Sequence, residues 1–426
     1  MSLVFGLTVL SLTVLCPTGA AQVNHTDFLE IASESAILAD GESGRILYQK
    51  NPDTPLPPAS MTKMMTEYLV LDAIKNGRIS WNQKIPISDY AYRVSQNRKL
   101  SNVPLRKDER YTVRELYESM TIYSANGSTI ALAELVAGSE ANFIKMMSQK
   151  AAQLGMKNYK FVNSTGLNNR DLTGMHPPGT GSREENAMSA RATAILAYRL
   201  IHDHPEVLKA SSVTTKIFRE GTKDRIKMDN WNWMLPGLVY GYPGCDGLKT
   251  GTTDLGGYSF AATAKRKGIR FISVVMKADS YASRFGETKK LLDYAFDNYS
   301  PKVIFPAGFK AALPVANGKK KTAEVASAKA LVVVVKPGEE KFFRPAYLLN
   351  PSVSKNGVLL APLREGQTVG YLTTDYTGPN NYGYLTAGGR EKVGIATTTA
   401  VKKVSWLTVL FRKIAGLLTH LLSLAR

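Results

Sequence analysis

The stretch Pro58-Ala59-Ser60-Met61-Thr62-Lys63 decides how this chain is interpreted, because it places a serine and a lysine three residues apart. Apolar residues at helical spacing continue to Ala73, which predicts a helix that begins near Ala59. In a helix, residues i and i+3 share a face, so the Lys63 side chain would reach the Ser60 hydroxyl. A serine hydroxyl is a weak nucleophile, and a lysine with a lowered pKa can act as its base. The stretch therefore predicts a nucleophile together with its base.

This motif is not specific by itself, since a second copy occurs at Ser352-Val353-Ser354-Lys355. That copy lies in a region rich in predicted turns, where no helix would align the two side chains. We therefore interpret the second copy as a coincidental match and expect Ser60 to be the nucleophile.

Two further short motifs follow in the chain. Thr112-x-x-Glu115 is a predicted capping box, which would begin a helix. Ser124-Ala125-Asn126 lies between that helix and the next one, and a hydroxyl and an amide at this corner could face a cleft. Helix capping is the alternative role for these residues, and Ser95-Gln96-Asn97 matches the same pattern. Lys249-Thr250-Gly251 begins a predicted strand, where glycine permits close backbone approach; a solvated strand end is the alternative.

The periodicity of the chain predicts a mixed sheet-and-helix domain that ends near Tyr299, with strands at both ends and helices between them. Pro301 to Pro306 marks a predicted boundary, and short strand candidates separated by Gly and Pro turns follow it, as in a small all-β domain. The strands predicted for the first domain are residues 35–40, 46–50, 248–252, 257–264 and 271–277. The later helices predicted for this domain are residues 128–137, 142–154, 188–202 and 287–296. The strands predicted after Pro306 are residues 331–335, 341–349, 358–361, 368–373 and 393–396.

Both ends of the chain have their own composition. Residues 1–21 carry no charged residue and end in small residues, which predicts a secretory signal peptide. On a helical projection, the leucines and aromatic residues of the C-terminal segment fall on one face, and Arg412 and Lys413 on the other. A membrane-spanning helix would bury both charges, so residues 401–426 are predicted to lie in the plane of a membrane surface as an amphipathic helix. Packing against the protein itself or a partner is the alternative.

Charge and cysteine content narrow the possible partners. The formal net charge of +19 favours anionic partners, but secretion argues against nucleic acid. The two cysteines are Cys16, within the predicted signal, and Cys245, so the mature chain would hold one thiol and no internal disulfide. The five histidines are scattered, and we expect neither a metal nor an organic cofactor.

The three motifs in this order are the signature of the penicillin-binding and serine β-lactamase superfamily. Their flanks, Tyr123-Ser124-Ala125-Asn126 and Asp246 to Gly251, resemble serine-type D-alanyl-D-alanine carboxypeptidases, the low-molecular-mass penicillin-binding proteins of peptidase family S11. Asn163-Ser164-Thr165-Gly166-Leu167 and the later stretches Ala361-Pro362-Leu363 and Gly366 to Gly370 also fit this family. Thr252 departs from the pattern where some relatives carry His or Tyr.

The resemblance implies an α+β fold: a β-lactamase/transpeptidase-like domain with an antiparallel sheet, helices on both faces and a helical subdomain, then a small all-β domain and the C-terminal amphipathic helix. The implied divisions are a signal peptide of residues 1–21, a catalytic domain of residues 27–299, an all-β domain of residues 300–400 and an amphipathic helix of residues 401–426. The implied location is the outer face of the cytoplasmic membrane, where the enzyme takes part in cell-wall biogenesis and remodelling.

The resemblance also implies roles for individual residues. Its catalytic residues would be Ser60, Lys63, Ser124 and Asn126, and its substrate-binding residues Lys249, Thr250, Gly251, Thr252 and Arg284. The substrate would be a peptidoglycan stem peptide that ends in D-Ala-D-Ala, and β-lactam antibiotics would be covalent inhibitors. A β-lactamase or a D,D-transpeptidase of the same superfamily is the alternative, although the chain has no Glu-x-x-Leu-Asn for the deacylating water of class A β-lactamases. Surface exposure is the alternative role for Arg284.

Overall fold

A computed structural model describes residues 27–405 of the 426-residue chain. The predicted signal peptide of residues 1–21 lies outside the described residues, and so do all but the first five residues of the predicted amphipathic segment 401–426. Between residues 27 and 405, no helix has both the length and the apolar character needed to cross a membrane.

The first part of the chain is built on a five-stranded antiparallel sheet with the order β2-β1-β11-β10-β9, accompanied by three short two-stranded pairs. The strands are β1 (Ser35–Asp40), β2 (Ile46–Lys50), β3 (Lys84–Ile85), β4 (Tyr111–Thr112), β5 (Tyr159–Lys160), β6 (Ala187–Met188), β7 (Thr215–Phe218), β8 (Ile226–Asp229), β9 (Cys245–Thr253), β10 (Gly257–Arg266) and β11 (Ile269–Ala278).

The helices of this part lie between and after those strands. They are α1 (Lys63–Lys75), α2 (Asp89–Ser95), α3 (Val113–Tyr123), α4 (Asn126–Ala137), α5 (Glu140–Gln153), α6 (Ala190–Asp203), α7 (Val207–Ser211) and α8 (Tyr281–Asn298). The predicted strands and longer helices are present, with ends that differ by a few residues; the last helix begins six residues before the predicted position 287.

Helices cover both faces of the central sheet because its strands bury side chains in both directions. Along β1, Ile37 belongs to the core on the side of α1 and α6, and its neighbour Leu38 belongs to the core under α8. Successive side chains of a strand point to opposite faces, so each strand contributes to two hydrophobic cores. The predicted α+β class, with an antiparallel sheet between helices, is confirmed.

A helical subdomain, α2 to α5, packs beside α1. The predicted capping box is present: the Thr112 hydroxyl accepts a hydrogen bond from the Glu115 amide, and the Glu115 carboxylate accepts one from the Thr112 amide. This cap begins α3, which ends at Tyr123, directly before Ser124.

The remaining residues form the all-β part. A two-stranded sheet pairs β12 with β15, and a seven-stranded sheet has the order β16-β19-β20-β14-β13-β18-β17. These strands are β12 (Ser300–Phe305), β13 (Lys310–Ala316), β14 (Thr322–Ser327), β15 (Leu331–Val335), β16 (Phe343–Leu349), β17 (Ser354–Lys355), β18 (Val358–Leu360), β19 (Thr368–Tyr376) and β20 (Val393–Thr397).

The predicted boundary at Pro301 to Pro306 falls on β12, to which five of these residues belong. A proline cannot donate a backbone hydrogen bond, but an edge strand tolerates it. β12 has β15 as its one partner among the described strands, so Pro301 can lie at an edge.

The all-β part contacts the central sheet through the segment between β19 and β20. The Ile46 amide donates a hydrogen bond to Gly383 O over 2.9 Å, and the Leu385 amide donates one to Gly44 O over 2.8 Å. These bonds use backbone groups at and just before the start of β2, which is one of the two edge strands of the central sheet, so this end of that edge is covered.

Candidate active site

Ser60 lies in a tight turn at the start of α1. The helix predicted to begin near Ala59 begins there as a 3₁₀ turn, residues Ala59–Thr62, and continues as an α-helix from Lys63. Ala59 has a positive φ of 49°, a conformation that costs about 1–2 kcal/mol for a residue with a side chain. The turn leaves Ser60 partly exposed, whereas Lys63 is buried.

The ammonium nitrogen of Lys63 has three acceptors around it. Lys63 Nζ lies 2.9 Å from Ser60 Oγ, 2.8 Å from Asn126 Oδ1 and 2.8 Å from the Thr165 carbonyl oxygen. The predicted contact between Lys63 and Ser60 is therefore present, although a 3₁₀ turn and not an α-helix provides it.

Burial lowers the pKa of Lys63 well below the usual value for lysine, and the positive charge of Lys249 lowers it further. A lysine that gives up its proton easily can accept one from the serine hydroxyl. The geometry and the charge environment together make Lys63 a suitable base for Ser60.

Ser124 and Asn126 lie at the junction of α3 and α4. Ser124 ends α3 in the left-handed conformation, with φ of 63°, and its amide donates a hydrogen bond to Ser119 O. The Ser124 hydroxyl has no hydrogen-bond partner among residues 27–405, although it is buried. Asn126 Nδ2 donates a hydrogen bond to Ser101 O over 3.0 Å, which turns its Oδ1 atom towards Lys63.

Strand β9 lies directly against the serine turn. A side-chain carbon at Gly251 would come within 2.3 Å of Pro58 O, so only glycine permits this approach. Lys249 and Thr250 are buried on the same strand, whereas Thr252 is exposed. Burial lowers the pKa of Lys249 from its usual 10.5 to about 8, while the negative charge of Glu67 opposes that change.

Arg284 is a buried arginine of α8, with an exposed fraction of 1%, which excludes the alternative of a surface residue. Its Nη1 atom lies 3.1 Å from Thr252 Oγ1 and 3.4 Å from the Gly251 carbonyl oxygen. The rings of Tyr281 and Phe285 lie within 4.9 Å and 4.6 Å of the guanidinium carbon. Burial lowers the pKa of Arg284 to about 10.

These side chains meet at a small open cleft of about 90 Å³. Six of the predicted residues contribute to its walls, namely Ser60, Ser124, Thr250, Gly251, Thr252 and Arg284. The other three predicted residues, Lys63, Asn126 and Lys249, are buried in the wall around it. The sequence analysis missed three more lining residues, Ser101, Trp231 and Tyr281, which belong to no motif. Tyr281 could have been suspected, because it lies one helical turn before Arg284.

The Asn163 to Leu167 stretch packs behind the serine turn. A side-chain carbon at Gly166, where φ is 81°, would come within 1.8 Å of the Ala59 carbonyl oxygen. The Asn163 Oδ1 atom accepts hydrogen bonds from the amides of Thr165 and Gly166. This turn places the Thr165 carbonyl oxygen on Lys63, a contact that the sequence analysis did not predict.

The coincidental matches lie elsewhere. Ser352 is exposed, and its hydroxyl donates a hydrogen bond to Asn350 Oδ1. Ser95 is buried, and its hydroxyl donates to the Tyr92 carbonyl oxygen and accepts from the Leu105 amide. Neither serine has a lysine hydrogen bond of the kind that Ser60 makes.

Comparison with known proteins covers almost all of the described chain. The family model described as D-alanyl-D-alanine carboxypeptidase matches residues 20–280, and the model described as penicillin-binding protein 5, C-terminal domain, matches residues 299–403. D-alanyl-D-alanine carboxypeptidase DacF of Bacillus subtilis is 31% identical over 364 residues, which cover 85% of this chain and 86% of that protein.

Two solved structures extend the comparison. The peptidoglycan synthesis regulatory factor (PBP3) of Streptococcus pneumoniae is 34% identical, with a TM-score of 0.74, over 87% of this chain and 100% of that one. Penicillin-binding protein D2 of Listeria monocytogenes, solved with ampicillin bound, is 33% identical, with a TM-score of 0.52, over 63% of this chain and 99% of that one. The first family model covers more than half of the chain, and the chain therefore belongs to the D-alanyl-D-alanine carboxypeptidase family.

Proposed function

We propose that this protein is a serine carboxypeptidase that removes the terminal D-alanine from peptidoglycan stem peptides through an acyl-enzyme on Ser60. The observation that carries the proposal is the position of Lys63 Nζ, which contacts Ser60 Oγ and Asn126 Oδ1 at the edge of an open cleft. A lysine held on a serine hydroxyl supplies the base that the nucleophile needs.

In the first step, Ser60 Oγ attacks the carbonyl carbon of the penultimate D-alanine while its proton passes to Lys63 Nζ. The resemblance suggests that the backbone amides of Ser60 and Thr252 stabilise the oxygen that becomes negative. Fixed donors of this kind act where charge develops in the transition state. The Pro58–Gly251 approach, which only glycine permits, supports this arrangement because it brings β9 beside the serine turn.

The tetrahedral intermediate then loses D-alanine as the carbon–nitrogen bond breaks. The unpartnered Ser124 hydroxyl is suited to pass a proton from Lys63 to the leaving amine. Water next attacks the ester carbonyl, Lys63 accepts a proton from that water, and Ser60 recovers its proton as the shortened peptide leaves. The sequence uses one water molecule and returns every group to its starting state.

The cationic side of the cleft would bind the terminal carboxylate of the substrate. Arg284 Nη1 lies beside Thr252 Oγ1, and Thr250 lines the same wall. An arginine whose donors face a cleft is well suited to a carboxylate. Lys249 adds positive charge from within β9, and Asn126 would orient the substrate amide.

The same cleft would accept β-lactam antibiotics, which carry a reactive amide and a carboxylate as the substrate does. A similar protein from Listeria monocytogenes has been solved with ampicillin bound. We propose that penicillin acylates Ser60 of this chain.

Incubation of the purified protein with labelled penicillin, and separately with a peptide ending in D-Ala-D-Ala, tests the proposal. We expect one label per chain, release of D-alanine, and loss of both in Ser60→Ala. Ser352→Ala is the matched control, because it removes the serine of the other Ser-x-x-Lys match, and it should behave as the unaltered protein. Label on Ser60 without release of D-alanine would overturn the carboxypeptidase proposal and favour a transpeptidase, and absence of label on Ser60 would overturn the serine mechanism.

We also propose that the protein acts on the outer face of the cytoplasmic membrane, with residues 401–426 on the membrane surface. Exposed lysines support this, since the Lys319 amide donates a hydrogen bond to the Lys402 carbonyl and thus brings residues 319–321 beside the start of that segment. Each lysine near an anionic membrane surface contributes about 1 kcal/mol of attraction. A protein that lacks residues 406–426 should no longer be found in the membrane fraction. If it stays bound to the membrane, the proposed attachment is wrong.

A further inference from the structure

A buried carboxyl group lies behind the two lysines of the site. Glu67 belongs to α1, one helical turn after Lys63, and only 2% of its surface is exposed. Residues four positions apart share a face of a helix, so Glu67 and Lys63 lie on the same face of α1. The mechanism proposed above gives this residue no role.

Glu67 lies among cations. α1 packs against β9, and the charges of Lys249 and Lys63 both act on the Glu67 carboxyl. Arg284 adds a third positive charge that acts on Lys249. From α3, which also packs against α1, Tyr117 and Thr121 interact with the carboxyl, and Tyr117 is a phenol that stays neutral because burial raises its pKa. Among these groups, Glu67 is the one that can carry negative charge at neutral pH.

Hydrogen bonds alone do not account for the burial of the Glu67 carboxyl group. Its Oε1 atom is buried and has no hydrogen-bond partner in the part of the chain that the structure describes. An ionised carboxylate without partners is costly in a protein interior unless nearby cations compensate it. The charges of two buried lysines offset part of that cost, and the carboxylate in turn stabilises the charged form of each lysine.

We propose that Glu67 is a positioning residue for the reaction, whose negative charge holds the proton on Lys249 so that Lys249 remains a cation beside the substrate carboxylate while Lys63 is the neutral base. The inference rests on the proposed function, because it assigns opposite protonation states to the two lysines of that mechanism.

The direction of the effect follows from the charges. The Glu67 charge raises the pKa of Lys249 against burial, so its removal lowers that pKa and Lys249 loses its proton at a lower pH. Burial raises the pKa of Glu67 itself, so the carboxyl carries less charge in acid. Removal should therefore move the alkaline limb of the pH–rate profile to lower pH. The acid limb, which Lys63 sets, should move less in the same direction, because the Glu67 carboxyl carries less charge at that pH.

The experiment measures the second-order rate of acylation by labelled penicillin against pH, on the full chain. In Glu67→Gln, which keeps the shape and removes the charge, we expect the alkaline limb to move down by about one pH unit, a roughly tenfold lower rate on that side. Glu67→Asp keeps the charge and should return the limb towards its original pH, even if the maximum rate is lower. If the Gln variant fails to fold, Glu67→Met takes its place. Methionine removes the charge, has a similar volume, and should move the alkaline limb in the same way.

Glu134→Gln is the matched control, since Glu134 of α4 accepts a hydrogen bond from Ser88 and has neither lysine among its interactions. It should leave the profile in place. An alkaline limb that stays at its original pH in the Gln and Met variants, whatever the height of the profile, would overturn the inference. Failure of the unaltered protein to react with penicillin would overturn the proposed function, which separates the two outcomes.

Discussion

Asn126 Oδ1 accepts a hydrogen bond of 2.8 Å from Lys63 Nζ, although 63 positions separate the two residues in the chain. This bond joins the motif that contains the serine to the motif at the start of α4. Because the same nitrogen also lies 2.9 Å from Ser60 Oγ, the lysine is held in place from two sides.

Replacing Lys63 should abolish most of the acylation without unfolding the protein. Glutamine can keep a hydrogen bond to Asn126 but cannot accept the Ser60 proton, and a positioned base contributes about 10²–10⁴-fold to such reactions. We therefore expect Lys63→Gln to lower the rate of penicillin acylation by about that factor, measured from labelling reactions that are quenched at successive times. Lys355→Gln, in the second Ser-x-x-Lys match, should have no effect; an equal loss there would contradict the assignment of the base.

Acylation should be fastest in a limited range of pH. Lys63 must be neutral to accept a proton, and because burial lowers its pKa, the base becomes available far below pH 10.5. Lys249 must keep its proton to attract a carboxylate, and its pKa of about 8 means that this charge is lost as the pH rises above that value. The rate should therefore rise from acid towards neutral pH and fall above about pH 8. A rate that continues to rise up to pH 10 would exclude the role given to Lys249.

Arg284→Lys should weaken substrate binding more than it slows the chemical step. Lysine keeps a positive charge but lacks the planar fork of donors that lies beside Thr252. A hydrogen bond to a charged group contributes about 1.5–3 kcal/mol, so we expect KM for a D-Ala-D-Ala peptide to rise roughly tenfold or more, with a smaller change in kcat. Arg266→Lys is the control, because Arg266 also packs on aromatic rings, those of Tyr242 and Phe296. A change in KM confined to the control would contradict the prediction.

Gly166→Ala should damage the site from behind. A methyl group there would meet the Ala59 carbonyl oxygen at 1.8 Å, and backbone atoms cannot move aside without shifting the serine turn. Gly174 also has a positive φ, of 75°, but has no other atom within 4 Å of that methyl position. Gly174→Ala should therefore cost only the conformational strain of about 1–2 kcal/mol.

Thermal unfolding and penicillin labelling distinguish the two glycine variants. We expect Gly166→Ala to lose more stability than Gly174→Ala and to label slowly, while Gly174→Ala labels at the normal rate. Equal behaviour of the two would mean that the contact behind Ala59 does not control the serine turn.

Much of the fold could be predicted from the sequence, because its signals are local. The short apolar run in Ser35–Asp40, the Thr112–Glu115 capping box and the apolar spacing after Lys63 each involve residues close together in the chain. The start of α8 was misplaced because its local signal is weak. The cap of α8 is Ser280, whose hydroxyl accepts a hydrogen bond from the Ser283 amide, and the Ser280–Ser283 pair lacks the acidic residue of a capping box.

The sequence by itself determined which residues we propose for the chemistry, since a serine, a lysine and an amide at fixed short spacings can be recognised without a structure. Only the tertiary structure decided how Ser60, Asn126, Thr165 and Arg284 meet, because each comes from a different element and their separations in the chain carry no information on distance in space. Glu67 shows the difference most clearly. It stands in the sequence as one more polar residue of a helix, and only the packing of β9 and α3 against α1 removes water from its carboxyl group and brings the charges of two lysines to bear on it.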